Sequence, residues 1–170
     1  VLSAVGVEAN ITGIGLEEMG VKTERGKVVV DDFYRTSVEG IYAIGDIIPT
    51  PALAHVASAE AICCVETICG LNPAKIDYST IPSCIFTSPE VASVGLTEQQ
   101  AQEKGIAYKV ATLPMAYAGR FVAENEGGNG VCKVIVGEKY GQVLGVHMLG
   151  NPSSEMIYGA CMAIEAEMTI

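Results

Sequence analysis

The chain has 170 residues, a formal net charge of −10, and 49% hydrophobic residues. That length suits one ordinary domain or pieces of two. The acidic balance excludes nucleic acid and anionic membrane surfaces as partners, since both need a basic face, and no uninterrupted apolar run approaches membrane-spanning length.

Residues 1–5 read as an apolar strand ending at Gly6, followed by a polar loop to Asn10. The opening has no basic flank and no cleavage-site pattern, so no secretory signal is expected, and it reads as the interior of a domain. Gly13-Ile14-Gly15-Leu16-Glu17-Glu18 begins like a dinucleotide fingerprint, but Glu18 stands where the third glycine belongs. A surface loop before a short helical turn is the better reading. Arg25-Gly26 is a turn into the β-rich run Val28-Val29-Val30.

The segment Gly40-Ile41-Tyr42-Ala43-Ile44-Gly45-Asp46 organises the first half. Its apolar run reads as a buried parallel strand with Asp46 at the carboxyl end, where open α/β sheets place ligands. Thr50 suits a cap and Pro51 the first helical position of a helix over 52–69. Leu53, Val56, Ile62, Val65 and Ile68 go nearly all round it, so it should be buried on most sides, with Ser58, Glu60, Glu66 and Thr67 as its polar residues. Gly70 and Asn72-Pro73 end it. Strand end, carboxylate and helix start together suit a hydroxyl-bearing ligand that carries partial negative charge.

Six cysteines, at 63, 64, 69, 84, 132 and 161, do not form a secreted disulfide framework in a chain of this length. Four lie in apolar periodic segments and read as small hydrophobes in a reduced, cytoplasmic interior. Cys64 and Cys69 have C-x4-C spacing, yet five residues along a helix turn them well apart around the axis.

From Asp77 the character changes. Residues 82–87 and 91–95 read as strands around Ser88-Pro89-Glu90, and Thr97-Glu98-Gln99-Gln100 as a capping box opening a helix that Gly105 closes. A strand follows over 106–113, then a hairpin of 131–136 and 143–149, then a last amphipathic helix capped by Ser153 or Ser154. This half is α+β, an antiparallel sheet with helices packed on one side, and it follows remnants of α/β nucleotide-binding domains. The boundary falls near 71–79.

Residues 35–46, Arg35-Thr36-Ser37-Val38-Glu39-Gly40-Ile41-Tyr42-Ala43-Ile44-Gly45-Asp46, closely resemble the second flavin-binding motif of the FAD-dependent pyridine nucleotide–disulfide oxidoreductases. Leu53-Ala54-His55, the stretch from Phe86-Thr87-Ser88-Pro89-Glu90 to Gly95, and Leu144-Gly145-Val146-His147 resemble the dihydrolipoamide dehydrogenase branch of that family, whose scaffold glutathione and mercuric reductases share. The resemblance runs over essentially the whole chain. It implies that residues 1–38 end an NAD-binding domain, 39–70 return a strand and helix to an FAD-binding domain, and 79–170 form most of an interface domain that builds a homodimer.

The resemblance further implies that Asp46, after Gly45, accepts a ribityl hydroxyl of FAD. It places the helix start at Ala52, Leu53, Ala54 and His55 on the flavin pyrimidine edge, and Gly6 as a backbone position near NAD, with Val7-Glu8-Ala9 replacing the usual basic neighbours. The family's redox cysteine pair, glycine-rich phosphate loops and histidine base have no counterpart here, so no catalytic residue and no metal ligand is expected. His55 and His147 read as structural. In the full-length family member, electrons pass from dihydrolipoamide through a disulfide and FAD to NAD, and lipoyl-bearing subunits of 2-oxo acid dehydrogenase or glycine cleavage complexes are the implied partners. The chain by itself is expected to be inactive and not to hold FAD tightly. A non-catalytic dimerisation module, or part of another family member such as a glutathione or mercuric reductase, stays open as the competing reading.

Overall fold

The computed structural model describes residues 1–170, and its first regular element is a hairpin of β1 (Thr23–Glu24) and β2 (Lys27–Val28). Arg25 and Gly26 both take positive φ, 49° and 73°, which matches the twist a two-residue hairpin turn needs. The hairpin belongs to a unit spanning Val1–Tyr78. Its core is Val21, Val28, Tyr34, Ala43, Ile48, Cys63 and Cys64, with Ile11, Leu16 and Ile76 packed against them. The helix here, α1, runs Ala54–Ile68 and ends as expected: Gly70 has φ 76°, and Leu71 N–H returns to the Glu66 carbonyl at 2.9 Å.

Three expectations for this unit are corrected. Residues 1–5 form no strand, and Val1, Leu2 and Val5 are exposed, because no neighbouring strand supplies ladder partners. The 41–44 run is not a parallel strand: it pairs through a single antiparallel bridge, Arg35 to Tyr42. Helix α1 is buried along one face only, at Val56, Glu60, Cys63 and Cys64, while Ile62, Val65 and Ile68 are exposed.

The second unit, Ser79–Ile170, is built on a five-stranded antiparallel sheet. Its strands are β3 (Ser83–Ile85), β4 (Val91–Gly95), β5 (Tyr108–Pro114), β6 (Val131–Gly137) and β7 (Val143–Leu149), in the order β3-β4-β7-β6-β5. The α+β architecture expected from the sequence is present. Helix α2 (Glu98–Glu103) opens on the complete capping box: Gln100 N–H donates to Thr97 Oγ1 at 3.1 Å and Thr97 N–H to Gln100 Oε1 at 2.9 Å.

Alternate residues divide the sheet into two faces. Ala92, Val94, Val146 and Met148 join Ile157 and Cys161 of α4 (Ser153–Glu165) in the core. The opposite row places Ser93, His147 and Lys133 side by side, and Lys133 Nζ pairs with Glu98 Oε1 of α2 at 2.7 Å. At the Gly95–Gly145 register pair, a Cβ on Gly145 would collide with the Leu96 carbonyl, so only glycine lets the chain approach this closely.

Two further features were not foreseen. A 3-10 turn at Met115–Tyr117 and the helix α3 (Gly119–Glu124) bury Met115 and Phe121 against Gly130 and Gly150, where a Cβ would come within 3.2 Å of one or both side chains. Neither Ser153 nor Ser154 caps α4: Pro152 holds the cap position without a side-chain bond, and the Ser153 hydroxyl donates to the Gly150 carbonyl. The N–H of Ser154 instead donates to Glu90 Oε2 at 2.9 Å. The turn between β3 and β4 therefore caps the last helix from across the fold. No helix is long and apolar enough to cross a membrane.

Candidate functional site

The approach to Asp46 is shaped by Asp31. Its Oδ1 accepts the N–H groups of Phe33 and Arg35, both at 2.9 Å, and the Arg35 guanidinium reaches its other oxygen at 3.3 Å. Burial alone would raise the Asp31 carboxyl, but these donors bring it below the usual carboxylate range. The chain then doubles back. Thr36 N–H donates to the Ile41 carbonyl at 3.0 Å and Ala43 N–H to the Tyr34 carbonyl at 3.1 Å, so residues 41–44 are laid out extended beside 34–36.

At Gly45 the backbone turns, with φ 72°, into a short 3-10 turn, Gly45–Ile47. Asp46 sits in that turn with its side chain exposed, and its carbonyl accepts from Lys27 Nζ. Asp46 thus stands at the carboxyl end of the apolar run although that run is not a sheet strand.

The helix that follows begins later than the sequence suggested. Leu53, not Thr50, occupies the cap position, and Ala54, not Pro51, is the first helical residue. Pro51 falls instead within a turn, its carbonyl accepting Leu53 N–H at 2.9 Å. Leu53 has no polar side chain to offer, so no side chain caps α1. The first intrahelical bond is Ala57 N–H to the Leu53 carbonyl at 3.0 Å, and helix geometry leaves the N–H groups of Ala54, His55 and Val56 without intrahelical acceptors. Ala52, Ala54 and His55 are exposed. The Thr50 hydroxyl is buried and has no hydrogen-bond partner.

Glu60 is the residue that sequence reasoning missed. Read from the sequence only as one of the helix's few polar residues, it is 0% exposed. Its Oε2 accepts Gly45 N–H at 2.6 Å and its Oε1 the Tyr78 hydroxyl at 2.9 Å. The Tyr78 and Tyr34 hydroxyls lie 3.0 Å apart, and since Tyr78 gives its proton to Glu60, Tyr34 donates in that contact. Burial pushes both phenols up, Tyr78 further through its bonds to Tyr34 and Glu60. The helical spacing held the signal: Glu60 is four residues from Val56 and from Cys64, on the face they bury.

Of the other candidates, Gly6 lies in the opening segment, which forms no regular element, with φ 116°. The residues after it, Val7, Glu8 and Ala9, line a cavity of about 610 Å³ with Gly13, Gly15, Arg25 and Lys27. His147 Nε2 is 3.0 Å from the Leu96 carbonyl, a structural bond in the second unit. All six cysteines are free; Cys64 is buried and Cys69 exposed. No group of His, Cys, Asp or Glu residues is arranged to hold a metal.

What the 45–60 region brings together is one exposed carboxylate, one uncapped helix start and one orphaned hydroxyl. A carboxylate accepts from a ligand hydroxyl, and a free helix N-terminus receives partial negative charge.

Comparison with known proteins gives a consistent setting. The family model described as pyridine nucleotide-disulphide oxidoreductase, dimerisation domain, matches residues 81–170, and the model described as pyridine nucleotide-disulphide oxidoreductase matches residues 1–61. A dihydrolipoyl dehydrogenase of Rhizobium etli is 46% identical over 169 residues, covering 99% of this chain and 35% of its own length. One from Geobacillus stearothermophilus is 45% identical over 170 residues, covering 99% of this chain and 36% of its own length. Among solved structures, LpdA from Mycobacterium tuberculosis superposes with a TM-score of 0.83 at 28% identity, covering 95% of this chain and 35% of that one. The HOCl-induced flavoprotein disulfide reductase RclA from Escherichia coli gives 0.83 at 29%, covering 98% and 38%. The chain thus spans little more than a third of the curated relatives it matches.

Proposed function

The chain belongs to the pyridine nucleotide-disulphide oxidoreductase family, and we propose that it serves in a dihydrolipoyl dehydrogenase, as one wall of the FAD site and as the surface of twofold association. The activity proposed for the whole protein is oxidation of dihydrolipoamide with NAD, through FAD and a redox disulfide. On this reading residues 1–38 close the NAD-binding domain, 39–70 return to the FAD-binding domain, and 79–170 are the interface domain. Lipoyl-bearing subunits of 2-oxo acid dehydrogenase or glycine cleavage complexes are the proposed partners, and the six free thiols favour a reducing compartment, the cytoplasm.

The observation that carries this reading is the uncapped start of α1 beside the Gly45-Asp46 turn. These residues fit the ribityl and pyrimidine portion of FAD. The Asp46 carboxylate is free to accept a ribityl hydroxyl, the unpaired N–H groups of α1 suit the pyrimidine edge, and the buried Thr50 hydroxyl lacks a partner within the chain. FAD, when bound, relays electrons between the disulfide and NAD. The protein's part here is to bind and orient: Asp46 fixes the ribityl chain, and the segment Ala52 to His55, which leads into α1, favours negative charge at the pyrimidine edge by ~0.3–1 kcal/mol through the helix start. Gly6 is assigned to the backbone near NAD. On this reading no residue of the chain is assigned as catalytic nucleophile or base, and by itself it is not expected to turn over substrate.

The test is a chimera in which this chain replaces the matching segment of the Geobacillus stearothermophilus enzyme. The chimera should purify with flavin and reduce NAD with dihydrolipoamide, and Asp46→Asn should weaken flavin retention. A chimera that folds as a dimer but holds no flavin would leave only the dimerisation module standing.

A further inference from the structure

We propose that Glu60 is the positioning residue of this site, locking the Gly45-Asp46 turn to the same rigid helix whose start forms the other half. The inference rests on the FAD-site reading above and concerns a residue that touches no ligand. Glu60 lies six residues into α1 from Ala54, roughly 9 Å along the axis at 1.5 Å per residue. It is wholly buried, and from there its Oε2 takes Gly45 N–H at 2.6 Å.

That bond fixes the peptide plane entering Gly45. Glycine at φ 72° has no Cβ to limit rotation, so the turn is held by its bonds: Ile48 N–H to the Gly45 carbonyl, Lys27 Nζ to the Asp46 carbonyl, and Glu60 at the peptide entering Gly45. Ala57, one turn before Glu60, closes the other side: a Cβ on Gly45 would lie 3.3 Å from the Ala57 methyl. Asp46 follows Gly45 directly, so the helix that presents free N–H groups also decides where the Asp46 carboxylate stands.

An acceptor is required because Gly45 N–H can only donate, whereas the Tyr78 hydroxyl donates or accepts. Gly45 N–H and Tyr78 O–H converge on Glu60, and Tyr34 backs Tyr78. A glutamine keeps its oxygen on Gly45 N–H by turning its NH₂ to the Tyr78 oxygen, while Tyr78 donates to Tyr34 instead. Glu60→Leu, of similar size, removes both acceptor oxygens and is the variant that breaks the bond.

The decisive experiment is a double-mutant cycle on FAD affinity in the chimera, read by flavin fluorescence. Glu60→Leu should weaken FAD about tenfold in the Asp46 background and less than about twofold when Asp46→Asn is also present, because Glu60 acts through Asp46, whereas Glu60→Gln should change it less than about threefold. Tyr78→Phe, which leaves the Gly45 bond in place, should weaken FAD less than about threefold. In the 170-residue chain without flavin, the Gly45 amide should exchange at least about tenfold faster in Glu60→Leu than in the parent. Glu60→Asp, which keeps the charge but withdraws it by one methylene, should give the same coupling and serves if Glu60→Leu does not fold.

For Glu60→Leu, equal losses in the two backgrounds, unchanged affinity, or an unaltered Gly45 amide would overturn the proposal. A parent chimera without flavin overturns the function reading instead, and the Gly45 amide then decides whether Glu60 holds the turn.

Discussion

Glu60 Oε2 receives the N–H of Gly45 at 2.6 Å, a bond from the buried face of α1 to the residue before Asp46. Gly45 has two reasons to be glycine: φ is 72°, and a Cβ would press on Ala57 at 3.3 Å. Gly45→Ala should therefore destabilise the first unit by about 1–3 kcal/mol, from left-handed strain and crowding together. Urea unfolding followed by circular dichroism would show it, and an unchanged midpoint would contradict the geometry.

The two buried phenols should differ in weight. Tyr78→Phe removes a donor to Glu60 and the acceptor of Tyr34, whereas Tyr34→Phe removes only the outer donor. The expected costs are about 1–3 kcal/mol for Tyr78→Phe and about 1 kcal/mol for Tyr34→Phe. Both phenols are raised in the fold, so their contribution is complete below the unfolded value near 10 and is lost as pH climbs through the folded one. Alkaline unfolding above about pH 10 should be steeper in the parent than in Tyr78→Phe.

The acid limb should report Glu90. Its carboxyl is lowered by the N–H of Ser154, so this contribution is present above the ordinary carboxylate range and vanishes as pH falls through the folded value. Glu90→Gln should lower the melting temperature near neutrality and flatten its fall below about pH 4. Melting curves that run parallel for the two proteins would deny Glu90 its capping role.

Thiol reactivity should follow burial. Burial pushes the Cys63, Cys64, Cys132 and Cys161 thiols up, and Cys69 is exposed at the end of α1. Under native conditions Cys69 should be modified first by an aromatic disulfide reagent, with Cys63 and Cys64 waiting for unfolding. Peptide mapping of the labelled chain distinguishes the order, and early labelling of Cys64 would contradict it.

In the second unit Gly145→Ala should be among the most damaging single changes. The new methyl would meet the Leu96 backbone carbonyl, which also receives His147 Nε2 and cannot swing away as a side chain does. A loss on the order of 3 kcal/mol or more is expected. The yield of folded protein and its denaturation midpoint are the measurements.

Local patterns settled a good part of this protein in the sequence itself. The Thr97–Gln100 capping box, the glycine stop at Gly70 and the hairpin of β6 and β7 each depend on a few consecutive residues, and they formed as expected. The motif ending in Gly45-Asp46 was equally plain, because it is a run of residue types that needs no partner to be recognised. Tertiary structure decided what depends on distant neighbours. It moved the start of α1 to Ala54 and exposed Ile62 and Val65, since burial is set by what packs alongside and not by the helix's own composition. It handed the cap of α4 to Glu90, 64 residues from Ser154. It also drew Glu60 inside, because donors 15 and 18 residues away, Gly45 N–H and the Tyr78 hydroxyl, replace the water a carboxylate otherwise requires.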